Sequence, residues 1–148
     1  KLVYLIYISY KKKKMNNNKK NKVEKIFLNR LKSRGSFLDI FELHKKKIKR
    51  IFTISKVKKN TTRGFHAHKY DTQIITVPCG KIKFKTFDGI KTKTFFISSS
   101  NIAILVKPYV WTETTYLKKN TVVTVYSSHS YNEKSYIRSL DSFKKIFN

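Results

Sequence analysis

"RGFHAHKYDTQIITVPCG", residues 63–80, places two of the chain's four histidines one residue apart, between a glycine and a glutamine. In an extended strand successive side chains point to opposite faces, so His66 and His68 share one face while Phe65 and Ala67 take the other. Gly64 ahead of the pair and Pro78 and Gly80 behind it punctuate the run as strand and turn. Two imidazoles on one face suit metal ligation, proton transfer near neutral pH, or no more than a pair of satisfied core hydrogen bonds. The neighbouring sequence has to choose among these.

Outward from this stretch the chain reads as short strands. "KIFLNRL", "FLDIFEL", "KRIFTISKV" and "TVVTVYS" alternate apolar with polar residues and end in polar or glycine punctuation. "KIKFKTFDGIKTKTFFI" has the form of a hairpin, with Asp88-Gly89 expected at the positive-φ positions of a type I′ turn. After Ser130 the pattern changes, because Tyr136, Ile137, Leu140, Phe143 and Phe147 gather on one helical face, with Asn132 or Ser130 as the expected cap. Many short strands with one terminal helix predict an all-β sandwich or barrel, most simply a jelly roll. "KKKKMNNNKKNK", residues 11–22, carries no periodic apolar signal, and residues 1–22 are expected to be a basic tail or upstream extension, leaving residues 23–148 as one domain.

Composition narrows the function. The formal charge is +26, which favours an anionic ligand. Lysine is spread along the chain, arginine occurs only five times, and no nucleic-acid-binding motif is visible, so specific DNA or RNA binding is not the expected role. The single cysteine, Cys79, excludes an intrachain disulfide and a cysteine-based zinc framework. It fits a reducing, cytoplasmic setting. The apolar run at the start of the chain is too short to span a bilayer.

Gly, His-x-His, Gln73 and Gly80 in this order resemble the first signature of the cupin superfamily, with glutamine where metal-binding members carry glutamate. "AILVKPYVWTET", residues 103–114, occupies the place of the second signature, with Glu113 where a third histidine would stand. A two-histidine, one-carboxylate iron site from His66, His68 and Glu113 is the one metal arrangement left open; no metal is expected. Three blocks narrow the resemblance to the dTDP-sugar 3,4-ketoisomerases: "SRGSF" at 33–37, "RGFHAHK" at 63–69 and "YNEKSYIRSLDSF" at 131–143.

That resemblance implies a cupin jelly roll with a short C-terminal helix, forming a homodimer. It implies a cofactor-free isomerase that moves the carbonyl of dTDP-4-keto-6-deoxyglucose from C4 to C3, for a partner aminotransferase in deoxyamino-sugar synthesis. His66 would be the carbon acid–base and His68 its partner. The proton beside a ketone is acidic enough for a base of near-neutral pKa, and histidine starts near 6.5. Gln73 and Arg63 are candidate donors to the developing oxyanion, Arg50 and Arg63 candidate contacts for the diphosphate, and Trp111 a flat surface for sugar or base. Glu113 is expected to orient a histidine. His44 and His129 lie outside the signature and receive no role. The chain departs from the family at Phe52, where a tyrosine is usual, and at Thr53. That departure keeps two alternatives in view, a nucleotide-sugar binder without turnover and a related 3,5-epimerase.

Overall fold

Alternation decides the layers. In "IKFKTF" Ile82, Phe84 and Thr86 are buried while Lys83 and Lys85 are exposed, and in "VVTVYS" Val123, Val125 and Ser127 are buried in the same rhythm. Each strand therefore offers one apolar face, and two such faces must meet. In the computed structural model, which describes residues 22–27, 48–98 and 102–147, they meet as two antiparallel sheets.

The first sheet contains β1 (Val23–Phe27), β2 (Arg50–Ile54), β4 (Gln73–Cys79), β7 (Ile102–Val106) and β9 (Val122–Ser127). Its spatial order is β1-β7-β4-β9-β2. The second holds β3 (Thr62–His68), β5 (Ile82–Phe87), β6 (Thr92–Ile97), β8 (Trp111–Tyr116) and β10 (Tyr136–Ile137), in the order β10-β3-β8-β5-β6. The crossing of chain order and spatial order is that of a jelly roll. Ile75, Val77, Ile82, Phe84, Ile104, Tyr116, Val123 and Val125 form the core between the sheets. Each such side chain contributes roughly 1.5–3 kcal/mol by leaving water. A second apolar cluster, Ala67, Trp111, Ile137 and Phe143, lies on the outer face of the second sheet beneath helix α1 (Leu140–Lys144).

Two local expectations are corrected. In the β5–β6 hairpin the Asp88 N–H donates to the Lys91 carbonyl at 3.2 Å, just inside the Phe87–Thr92 pair, so Gly89 and Ile90 are the two loop residues. Only Gly89 has positive φ there, at 94°. The Asp88 carboxylate accepts from the N–H groups of Ile90 and Lys91 at 2.9 and 2.8 Å, so Asp88 flanks the turn instead of occupying its centre, and the turn has one positive φ where type I′ has two. The C-terminal helix starts at Leu140 with Ser139 as its cap, seven residues later than Asn132 would have it. Asn132 instead caps a single 3-10 turn, Glu133–Ser135. Tyr136 and Ile137 then run extended, because the edge of β3 offers backbone partners: Tyr136 pairs with His68 and Ile137 with Ala67.

"SRGSF", "FLDIFEL" and His44 lie outside the described residues. Among the described residues, no helix is long and apolar enough to cross a membrane.

Candidate active site

The histidines owe their placement to a break in β3. Gly64 has φ 102° and Phe65 φ 54°, and the pairing of β3 with β8 slips by one residue between Gly64 and His66. A β-carbon on Gly64 would come within 2.7 Å of the Thr112 carbonyl, so only glycine fits the bulge. Beyond it normal alternation resumes. Ala67 enters the cluster under α1, and His66 and His68 turn to the other face with ring centroids 4.9 Å apart.

β10 brings Tyr136 across this pair, 5.0 Å from the His66 ring and 4.3 Å from that of His68. Arg138 covers the Tyr136 ring at 4.5 Å and grips Glu133 through Nε and Nη2, while the Tyr131 hydroxyl donates to the same carboxylate at 2.6 Å. These contacts lock residues 131–138 into one wall and hold the Glu133 carboxyl down at about 2. From the first sheet Arg50 adds its guanidinium, 4.6 Å over the Phe52 ring and 5.4 Å from that of Tyr131. Arg50 Nε is buried and has no hydrogen-bond partner among the described residues. Thr53 points the other way, towards Thr124, so of the two departures only Phe52 bears on the site.

Burial sets the protonation. It pushes His66 below 6.5, partly offset by the hydrogen bond from Nδ1 to the Gly64 carbonyl at 3.0 Å. A carbonyl only accepts, so Nδ1 of His66 carries the proton and Nε2 keeps its lone pair. His68 is 8 % exposed. Burial first, and then the neighbouring His66, lower it to about 4 against the pull of Asp71. Two neutral imidazoles with a half-buried cation nearby can take and return a proton and attract an anion.

Of the residues expected at the site, the structure brings together His66, His68, Gln73 and Arg50. Gln73 Nε2 lies 3.1 Å from His68 Nε2. Trp111 and Glu113 lie elsewhere, and Arg63 pairs with Thr114 of β8, which pairs in turn with the core residue Phe84. Arg63 is exposed, and its charge is felt at Tyr116 and at neither imidazole. Trp111 packs under α1 with Ala67, and its Nε1–H donates to Glu113 at 3.1 Å. Glu113 also meets Lys85 at 3.4 Å, so it occupies the outer face and cannot orient a histidine on the inner one. The two-histidine, one-carboxylate arrangement fails for the same reason. Among the described residues no group of three or more His, Cys, Asp or Glu is placed to hold a metal ion.

Asp71, Tyr131 and Tyr136 were not anticipated. Asp71, 5 % exposed, accepts from Gln73 Nε2, the hydroxyls of Ser127 and Ser128, and the His129 N–H. Its sequence signal was faint, an Asp two residues before Gln73. Tyr136 was visible but assigned to a helix.

A jelly roll with neutral, paired imidazoles on its inner face defines a cupin equipped for carbon-acid chemistry. Residues 19–148 match the family described as FdtA, "WxcM-like, C-terminal", and the chain belongs to that family. It is 35% identical over 115 residues to the TDP-4-oxo-6-deoxy-alpha-D-glucose-3,4-oxoisomerase of Aneurinibacillus thermoaerophilus, covering 76% of this chain and 83% of that one. The sugar 3,4-ketoisomerase QdtA of Thermoanaerobacterium thermosaccharolyticum, in complex with TDP, superposes with a TM-score of 0.80 at 26% identity over 86% of this chain and 95% of its own. A variant of QdtA in complex with TDP-4-keto-6-deoxyglucose gives the same TM-score and identity over 85% and 94%.

Proposed function

We propose that the chain isomerises dTDP-4-keto-6-deoxyglucose to the dTDP-3-keto-6-deoxyhexose, with His66 as the carbon acid–base. The observation that carries this reading is the tied Nδ1 of His66, which leaves a neutral, half-buried Nε2 as a base beside a second neutral imidazole. His66 Nε2 takes the proton from C3, and the electron pair forms the C3–C4 double bond of an enediolate whose charge rests on the C4 oxygen. The same nitrogen then returns the proton to C4. The C3 hydroxyl gives up its proton as its carbonyl forms, and the C4 oxygen gains one. His68 serves these oxygens. General acid–base catalysis contributes about 10²–10⁴ in rate.

Arg50 is the arginine we assign to the diphosphate, its buried Nε meeting a phosphate oxygen. The protein works as a homodimer and feeds an aminotransferase that aminates the new ketone; the relatives' substrates and this site's chemistry support that place.

The test is incubation with dTDP-4-keto-6-deoxyglucose in D₂O, followed by proton NMR, beside His66→Asn. A 3-keto product, with solvent deuterium entering at C4 to whatever extent the base exchanges, is expected from the wild type and not from the variant. Binding of dTDP without product or exchange would indicate a binder that has lost turnover. Exchange at C5 would indicate a 3,5-epimerase.

A further inference from the structure

Gln73 is held between two groups that together dictate the state of His68. Its Nε2 lies 3.0 Å from Asp71 Oδ2 and 3.1 Å from His68 Nε2. A carboxylate only accepts, so the end of the amide facing Asp71 is the NH₂ group. One of its hydrogens goes to Asp71, and the other goes to His68 Nε2, which must therefore present a lone pair. The neutral ring then carries its proton on Nδ1, an atom that is buried and has no hydrogen-bond partner among the described residues. Asp71 is itself fixed by Ser127 Oγ at 2.5 Å, Ser128 Oγ at 3.0 Å and the His129 N–H at 3.2 Å, all at the end of β9.

We infer that Asp71 and Gln73 are positioning residues that lock His68 as the Nδ1–H tautomer, making it the hydrogen-bond donor to the substrate's oxygens. His66 and His68 are thereby given different work by their partners. The Gly64 carbonyl leaves His66 with a bare Nε2, a base; the relay leaves His68 with a stranded N–H, a donor. Gln73 in turn does not touch the oxyanion, because both amide hydrogens are already committed. The catalytic meaning of the lock rests on the ketoisomerase reading, whereas the tautomer itself does not.

Asp71→Asn provides the test. The His129 N–H and Ser128 Oγ hold the new amide with its oxygen towards β9 and its NH₂ towards Gln73. Gln73 must then turn its oxygen to that spot, where it accepts from His68 Nε2–H, and the tautomer inverts. Long-range proton–nitrogen correlation spectra of protein labelled with ¹⁵N-histidine, without substrate, show which ring nitrogen is protonated. His68 is expected to carry Nδ1–H in the wild type and Nε2–H in Asp71→Asn, with kcat reduced on the order of 10²-fold and KM little changed. Gln73→Met, which leaves Asp71 its three other donors, is expected to give mixed tautomers and a lowered kcat, and decides the matter if Asp71→Asn does not fold.

A wild-type His68 protonated on Nε2, or variants that keep the wild-type tautomer, overturns the lock. An inverted tautomer with undiminished kcat overturns its catalytic role. An intact lock in a protein that does not turn over the keto sugar counts against the substrate reading alone.

Discussion

His66 and His68 are kept neutral by burial, and this gives the residue scale a pH signature. The base form of His66 persists below 6.5, so kcat/KM is expected to stay level as pH falls through 6.5 and to drop only at more acid values. A profile bending at 6.5 or above would contradict the burial. Stability carries the same sign. The unfolded chain takes up protons near 6.5 while the folded chain keeps His68 neutral to about 4, so protonation favours unfolding within that window. The melting temperature should fall as pH is lowered from about 6.5 towards 4, and the contribution of His68 to that fall ends below 4. Arg50→Met should weaken dTDP binding by roughly tenfold or more in calorimetric titration, the worth of one charge-assisted hydrogen bond. The histidine pair was legible in the sequence because alternation along a strand needs no partner. Trp111 and Glu113 were misplaced because their sequence neighbourhood says nothing about which face a bulged ladder gives them.

At the scale of elements, β10 and α1 work as one clamp. Phe143 is fully buried among Phe87, Trp111 and Phe147, with centroids 5.8, 5.9 and 5.1 Å away. It holds the segment that lays Tyr136 over the imidazoles. Phe143→Ala should cost about 3–5 kcal/mol, seen as a melting temperature lower by roughly 10 °C or more, with activity falling before unfolding begins. The strands were readable from periodicity, whereas the two-residue β10 was not. Tyr136, Ile137, Leu140 and Phe143 satisfy helical spacing, and only the open backbone of β3, a tertiary fact, draws the first two into a sheet. The Asp88 loop escaped for a related reason. Asp-Gly favours the two central positions of a turn, but the carboxylate found two backbone N–H groups and set Asp88 ahead of a turn centred on Gly89 and Ile90.

The whole molecule carries a net charge of +26, far more than the few cations near the site require. Such a field attracts a nucleotide diphosphate from a distance and is screened within about 10 Å at 0.1 M salt. Raising ionic strength should lower kcat/KM for the nucleotide sugar while leaving kcat nearly unchanged; equal loss in both would place the effect in the chemistry instead. The site also draws on strands far apart in the chain. Arg50 comes from β2, the histidines from β3, Gln73 from β4, the serines that hold Asp71 from the end of β9 and Tyr136 from β10. No local fragment contains it, and contacts of such long sequence separation form late and slowly. In a refolding experiment, secondary structure will therefore return ahead of turnover, and the first catalysed exchange will time the closing of the last strand.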